Sequence, residues 1–139
     1  MTWLLDTNVV SELRKAPSGR ANRKVVAWAA AQAAAALHIS VVTLLELEIG
    51  VLALERRDRP QGAVLRRWLD LHVVPAFAGR IVVVDTAVAR QCARLQVPDS
   101  MSERDALIAA TGIVHGMTVV TRNRDDFLAS GVPLLDPWT

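Results

Sequence analysis

Apolar residues along this chain gather into short unbroken runs, separated by longer stretches with helical spacing. Trp3-Leu4-Leu5 and Ile81 to Val84 are continuous rather than alternating, and Leu37 to Val42, with Ile39, Val41 and Val42, and Met117 to Val120 read as further strands. Such runs mark strands covered on both faces, the signature of a parallel sheet. Between them, Thr7 to Lys15 reads as a short helix stopped by Ala16-Pro17-Ser18-Gly19, and Asn22 to Ala36 has strong helix propensity. Thr43 to Arg57 places Leu44, Leu47, Val51 and Leu54 at helical spacing, and Pro60 opens a helix running to Val74. Thr86 to Val97 and Glu103 to His115 are further helices, the second stopped by Gly116. Asp125 to Ala129 reads as a helical turn closed by Gly131, and Pro133-Leu134-Leu135 as a fifth short strand. Strand and helix alternate throughout, which predicts an α/β sandwich with a central parallel sheet.

Length and composition sharpen this picture. At 139 residues the chain suits one domain, residues 1–139, and can bury a core without staples. Hydrophobic residues make up 52% and charged residues 22%, which excludes a disordered or collagen-like chain. Cys92 is the only cysteine, so no disulfide framework or multi-cysteine zinc site is available, and a reducing cytoplasm is expected. Val25 to Leu45 lacks charged side chains and is long enough to cross a bilayer. Its first half is Ala-rich, and Gln32, His38, Ser40 and Thr43 interrupt the segment, which reads better as a helix feeding a strand, so no membrane association is expected. The N-terminal apolar run is broken at once by Asp6 and lacks a preceding basic region, unlike a signal peptide.

In parallel sheets, functional groups collect at the carboxyl ends of strands. Asp6 follows the first strand directly, Thr43 and Glu46 follow the second, and Asp85 and Thr121-Arg122-Asn123 follow later ones. Each acid has an ordinary reading. Asp6 suits a helix N-cap, Thr43-x-x-Glu46 has the form of a capping box, and Ser102-x-x-Asp105 fits a looser version. Asp125 and Asp126 complement the start of a short helix. Taken together, several acids point toward one rim, where gathered carboxylates repel one another and lose solvation. A hard cation such as Mg²⁺ or Mn²⁺ relieves that cost. Such sites commonly serve hydrolysis of phosphodiesters.

The ordered motifs Leu5-Asp6-Thr7-Asn8-Val9, Thr43-Leu44-Leu45-Glu46, Arg104-Asp105-Ala106-Leu107-Ile108-Ala109-Ala110-Thr111, Val120 to Phe127 and Asp136-Pro137-Trp138 span nearly the whole chain. With this set the sequence resembles the PIN-domain ribonucleases, in particular VapC-type toxins of the FitB-like branch. The resemblance implies a single PIN domain over 1–139, a PIN-like three-layer α/β/α sandwich, and a Mg²⁺-dependent endoribonuclease in which metal-activated water attacks an RNA phosphate. By motif, Asp6, Glu46 and Asp105 match the first three metal-binding acids. Asp126 matches the fourth, with Asp125 adjacent, and the number of ions stays open. Thr7, Asn8, Thr43, Thr121 and Asn123 match supporting polar positions. The terminal motif carries Asp136 where the family usually has Asn. A homodimer and a cognate antitoxin are implied partners, with the aliphatic helices Thr43 to Arg57 and Pro60 to Val74 as the surface on offer.

Other features change little. The net charge is +2, and fourteen of the sixteen basic residues are Arg, suited to phosphate. With four acids committed to metal, the remaining surface is markedly basic. Arg122 and Arg124, beside the fourth acid, are candidates for RNA contact. The cluster Arg56, Arg57, Arg59, Arg66 and Arg67 is a solvated face or a second RNA contact. His38, His72 and His115 share no metal-ligand spacing, while Cys92, Trp28 and Trp68 fit core positions. Competing readings are a PIN-type nuclease in RNA processing or on DNA, a non-catalytic RNA-binding module, and a phosphoacceptor receiver domain. The last would want paired acids after the first strand, where Leu5-Asp6-Thr7 supplies one.

Overall fold

The computed structural model describes residues 1–139. In chain order the regular elements are β1 (Trp3–Leu5), α1 (Thr7–Leu13), α2 (Arg23–Ala30), β2 (Leu37–Ser40), α3 (Val41–Arg57), α4 (Arg59–Trp68), α5 (Val74–Ala76), β3 (Ile81–Val82), α6 (Thr86–Leu95), α7 (Glu103–His115), β4 (Thr118–Val120) and β5 (Leu134–Leu135). The five strands form one parallel sheet in the order β3-β2-β1-β4-β5. The chain therefore winds outward from β1 to one side, then returns to build the other side. That reversal puts a switch point between β1 and β4, where open α/β sheets form ligand crevices.

Alternation within the strands covers both sheet faces. Leu5, Ile39 and Val120 join Val9, Val25, Leu47, Val51 and Leu69 in a core on the side of α1 to α4. Leu4 and Val119 point the other way, against Ile108 and Ala109 of α7 and against Phe127. Adjacent residues of one strand thus feed opposite cores, as the unbroken apolar runs predict. Trp28 and Trp68 pack against the first core, and Cys92 is buried beside Val88, Ala106 and Ala110.

Several element boundaries differ from expectation. The second strand stops at Ser40, not Val42, because Ser40 is fully buried and its hydroxyl accepts the Val42 N–H at 3.0 Å, starting α3 there. Thr43 is therefore inside the first turn, and the capping-box reading of Thr43 and Glu46 is wrong. Ser102 precedes α7, but its side chain makes no capping hydrogen bond. The Ala-rich second helix ends at Ala30, where Ala31 closes it and the Gln32 side chain turns to the Trp28 carbonyl and the Trp3 indole. The helix after Pro60 breaks into a π turn over Leu69–Val73, next to Pro75, which has no N–H for regular pairing. Only half of the Ile81 to Val84 run is strand, and Val83 is 59% exposed at the sheet edge.

The α3–α4 hairpin is drawn tight by Gly62. A Cβ there would stand 2.7 Å from the Glu55 backbone nitrogen. Arg66 fastens the same pair through Glu48 at 2.9 Å and Glu55 at 3.4 Å, and reaches Asp70 at 3.4 Å. One member of the basic cluster is thus committed to structure. Gly50, by contrast, faces open space within α3. Gly62→Ala is expected to cost about 1–3 kcal/mol through forced separation of the helices. Gly50→Ala should add roughly 0.5–1 kcal/mol through restricted unfolded-chain entropy. Thermal unfolding of both variants checks the contrast, which fails if the two substitutions shift Tm in the same direction.

Candidate active site

Asp6 ends β1 and caps α1. Its backbone N–H still pairs with the Val120 carbonyl at 2.9 Å, extending the sheet by one bond. The residue is 6% exposed. Its Oδ1 accepts the Thr7 N–H at 2.8 Å. Its Oδ2 accepts the Thr121 hydroxyl at 2.8 Å and the Asn8 amide at 3.2 Å. Burial pushes the Asp6 carboxyl up, the Thr121 and Thr7 bonds pull it back, and the charge of Glu46 pushes it up again. The cap and the site acid are one residue, because the first helix begins where the central strand ends.

Thr121, at the end of β4, is fully buried and also accepts the Asn123 N–H at 3.0 Å. Asn8 bridges outward as well, its Oδ1 accepting the Arg122 N–H at 3.2 Å. On the other side, the Thr7 hydroxyl donates to Glu46 Oε1 at 2.7 Å, and the buried Thr43 hydroxyl lies 3.3 Å from the Thr7 hydroxyl. So Thr43, no cap, helps fix the residue that holds Glu46.

Asp105 enters from the first turn of α7 and is half-buried. Burial first, then the charges of Asp6, Asp126 and Glu46, push its carboxyl up to about 6. Three separate elements therefore bring their acids within electrostatic reach of Asp105. Of the two adjacent acids after β4, Asp126 is the one whose charge Asp105 feels. Asp125 and Asp126 both line a wholly polar cleft of about 410 Å³ with Arg122, Asn123, Arg124 and Asp136. Asp85 stays apart; it caps α6 by accepting the Val88 N–H at 3.0 Å.

No three acids stand in a tight, preformed metal cage. That is compatible with Mg²⁺, which keeps several waters and is held through one or two carboxylates plus substrate oxygens. The all-oxygen donor set, the raised carboxyl of Asp105 and the buried charge of Asp6 are the conditions a hard divalent cation relieves.

Two residues were given no role from the sequence. Arg104 Nη1 lies 3.7 Å from Glu46 Oε2, so a guanidinium beside the third acid tempers the cluster's charge. Trp138 lies beneath the Arg122 guanidinium, 5.3 Å from ring centroid to Cζ. The signal for Arg104 was its place beside Asp105 in an acid-rich helix start. Nothing in the spacing pointed Trp138 toward Arg122, because β4–β5 pairing makes that contact.

Known proteins share this arrangement of chain and fold. The PIN domain family model matches residues 3–130. The VapC ribonuclease Y4jK of Sinorhizobium fredii is 37% identical over 140 residues, covering 97% of this chain and 96% of that protein. Toxin FitB of Neisseria gonorrhoeae is 36% identical over 141 residues, covering 97% of each. In the crystal structure of FitAcB from Neisseria gonorrhoeae, the matching chain has a TM-score of 0.89 and 34% identity, with 99% of both chains covered. A chain of a toxin–antitoxin complex from Klebsiella pneumoniae matches with a TM-score of 0.65 and 26% identity, with 98% of both chains covered. The chain belongs to the PIN-domain family. Its fold is that of the FitB-type toxins, a central parallel sheet between helical layers.

The raised carboxyls make a stability prediction. Asp105 binds its proton more readily in the folded chain than in the unfolded one. Its stabilising contribution is therefore fully present below its unfolded value near 4 and is lost as pH rises through about 6. Asp6 has the same sign. In EDTA at pH 7.5, Asp105→Asn should be more stable than wild type by roughly 1 kcal/mol, and at pH 4 that advantage should vanish. Thermal unfolding at both pH values decides it; an Asn variant less stable at pH 7.5 would contradict the crowding.

Proposed function

We propose that this chain is the toxin of a toxin–antitoxin pair and acts as a divalent-metal-dependent endoribonuclease, with Mg²⁺ the natural ion and Mn²⁺ able to replace it. The observation that carries the reading is that Asp6, Glu46 and Asp126 all lie within electrostatic reach of Asp105, with Asp126 also lining a cleft beside Arg122 and Arg124. The relatives named as a VapC ribonuclease and as toxin FitB support RNA as substrate and toxicity as the role.

Asp6 and Asp105 would hold the ion, Asp6 in a fixed orientation because three donors grip its two oxygens. A divalent ion held there supplies charge neutralisation at the phosphate and a water of lowered pKa. Glu46 is oriented by Thr7, which donates to Oε1, and its Oε2 would accept a proton from the attacking water. Arg104, 3.7 Å from that oxygen, steadies the carboxylate from the α7 side. Asp126, exposed at the cleft, completes the shell on the substrate side. Arg122 and Arg124 grip flanking RNA phosphates with planar guanidinium groups.

The same reading gives the partners. Leu45, Ile49 and Leu52 are exposed at helical spacing on α3, and Val64 and Leu71 project from the neighbouring helical segment. These apolar positions suit protein contacts, either with a second copy in a homodimer or with a cognate antitoxin. The likeness to a chain of the Klebsiella pneumoniae toxin–antitoxin complex supports an antitoxin as partner for this chain too. No helix is long and apolar enough to cross a membrane, and a cytoplasmic site of action fits RNA as substrate.

The test is cleavage of RNA by purified protein. EDTA should abolish activity and added Mg²⁺ or Mn²⁺ should restore it. Asp6→Asn, Asp105→Asn and Glu46→Gln should each lower the rate on the order of a hundredfold or more. Undiminished cleavage in EDTA, or full activity in Asp105→Asn, would refute the metal mechanism.

A further inference from the structure

The turn Asp136-Pro137-Trp138 is part of none of the steps above, yet it stands directly against the cleft. Pairing of β4 with β5 sets Val120 opposite Leu135, and the Thr121 N–H bonds the Leu135 carbonyl at 3.0 Å. That register carries the chain after Leu135 back alongside the Thr121-Arg122-Asn123 turn. Asp136 Oδ1 then accepts the Trp138 N–H at 2.9 Å, closing a tight turn around buried Pro137. Trp138 is half-buried against the main core, so its ring is anchored on one side. On its other side it carries the Arg122 guanidinium at 5.3 Å.

The backbone at Arg122 is fixed as well. Its backbone N–H is bound by Asn8 Oδ1 at 3.2 Å, on the same side chain that holds Asp6. An exposed arginine ordinarily samples many rotamers, and ordering it on a ligand costs affinity. An arginine already laid on an indole has lost part of that freedom beforehand.

We propose that Trp138 is a positioning residue that holds Arg122 as a preset clamp for an RNA phosphate at the mouth of the cleft. The proposal rests on the ribonuclease reading for the identity of the ligand. Trp138 does not touch the reacting atoms; it acts through Arg122. Aromatic support of this kind is independent of base identity, so the effect should be the same for all RNA sequences.

The experiment measures affinity for a fluorescent single-stranded RNA oligonucleotide across a salt series, in Ca²⁺ to hold back cleavage. The proteins are wild type, Trp138→Leu, Trp138→Phe, Arg122→Gln and the double variant Trp138→Leu/Arg122→Gln. Arg122→Gln and Trp138→Leu should each weaken binding roughly three- to tenfold and shallow the log–log salt slope by about 0.7, one phosphate contact. The double variant should be no weaker than Arg122→Gln alone, and Trp138→Phe should recover most of the affinity. In Mg²⁺ the loss should fall on KM more than on kcat. Should Trp138→Leu fail to fold, Trp138→Phe alone, with its weaker ring quadrupole, should still weaken binding slightly, and only while Arg122 is present. The proposal is overturned by a Trp138 variant that melts earlier but binds RNA with the wild-type slope, or by penalties that add in full in the double variant. Absence of cleavage by wild type would sink the ribonuclease reading instead, while the affinity series would still decide the role of Trp138.

Discussion

Asp6 is a carboxylate almost wholly removed from water at the junction of the central strand and the first helix. Leaving such a charge unpaired would cost several kcal/mol, so its surroundings are built to satisfy it. Thr7 offers a backbone N–H, Thr121 a hydroxyl and Asn8 an amide. Those three donors come from α1 and from the end of β4, so the two neighbouring strands must be in register for the carboxylate to be satisfied. The sheet bond from Asp6 to Val120 fixes that register at the same place. Fold and site therefore share one set of hydrogen bonds.

The remaining acids follow from that anchor. Glu46 is held by Thr7, the residue after Asp6, and Asp105 is driven toward neutrality by burial and by charges that cannot move away. Electrostatic strain at one point of a parallel sheet is tolerable because dense cores on both faces hold the elements in place. A hard cation would relieve that strain. Arg104 lies beside Glu46, and Arg122 and Arg124 line the adjoining cleft together with Asp125, Asp126 and Asp136.

Much of this was legible in the sequence. Continuous apolar runs mark a doubly covered sheet, and the rule of strand carboxyl ends points to Asp6. The errors have local physical causes. Val41-Val42 reads as strand by its β-branching, yet the buried Ser40 hydroxyl turns the chain into α3 at that point. That shift removed the capping reading of Thr43 and left its hydroxyl beside Thr7. The alanines after Ala30 have helix propensity but little side chain to bury, and the chain leaves the helix there. Propensity could not reveal the π turn before Pro75. At the site, spacing does not separate Asp125 from Asp126, because a short turn does not encode side-chain directions. Trp138 and Arg122 are brought together only by strand pairing, and Arg104 meets Glu46 only because α3 and α7 pack side by side.

The central claim is that Asp6 and Asp105 share a divalent cation. Anomalous diffraction from crystals of this protein grown with Mn²⁺ tests it without recourse to activity. An anomalous peak is expected about 2.0–2.2 Å from a carboxylate oxygen of Asp6 or Asp105, with the other reached directly or through a metal-bound water. In Asp105→Asn crystals grown under the same conditions that peak should weaken or vanish. A peak absent from this rim in the wild-type protein at millimolar Mn²⁺, or one of undiminished height in Asp105→Asn, would contradict it.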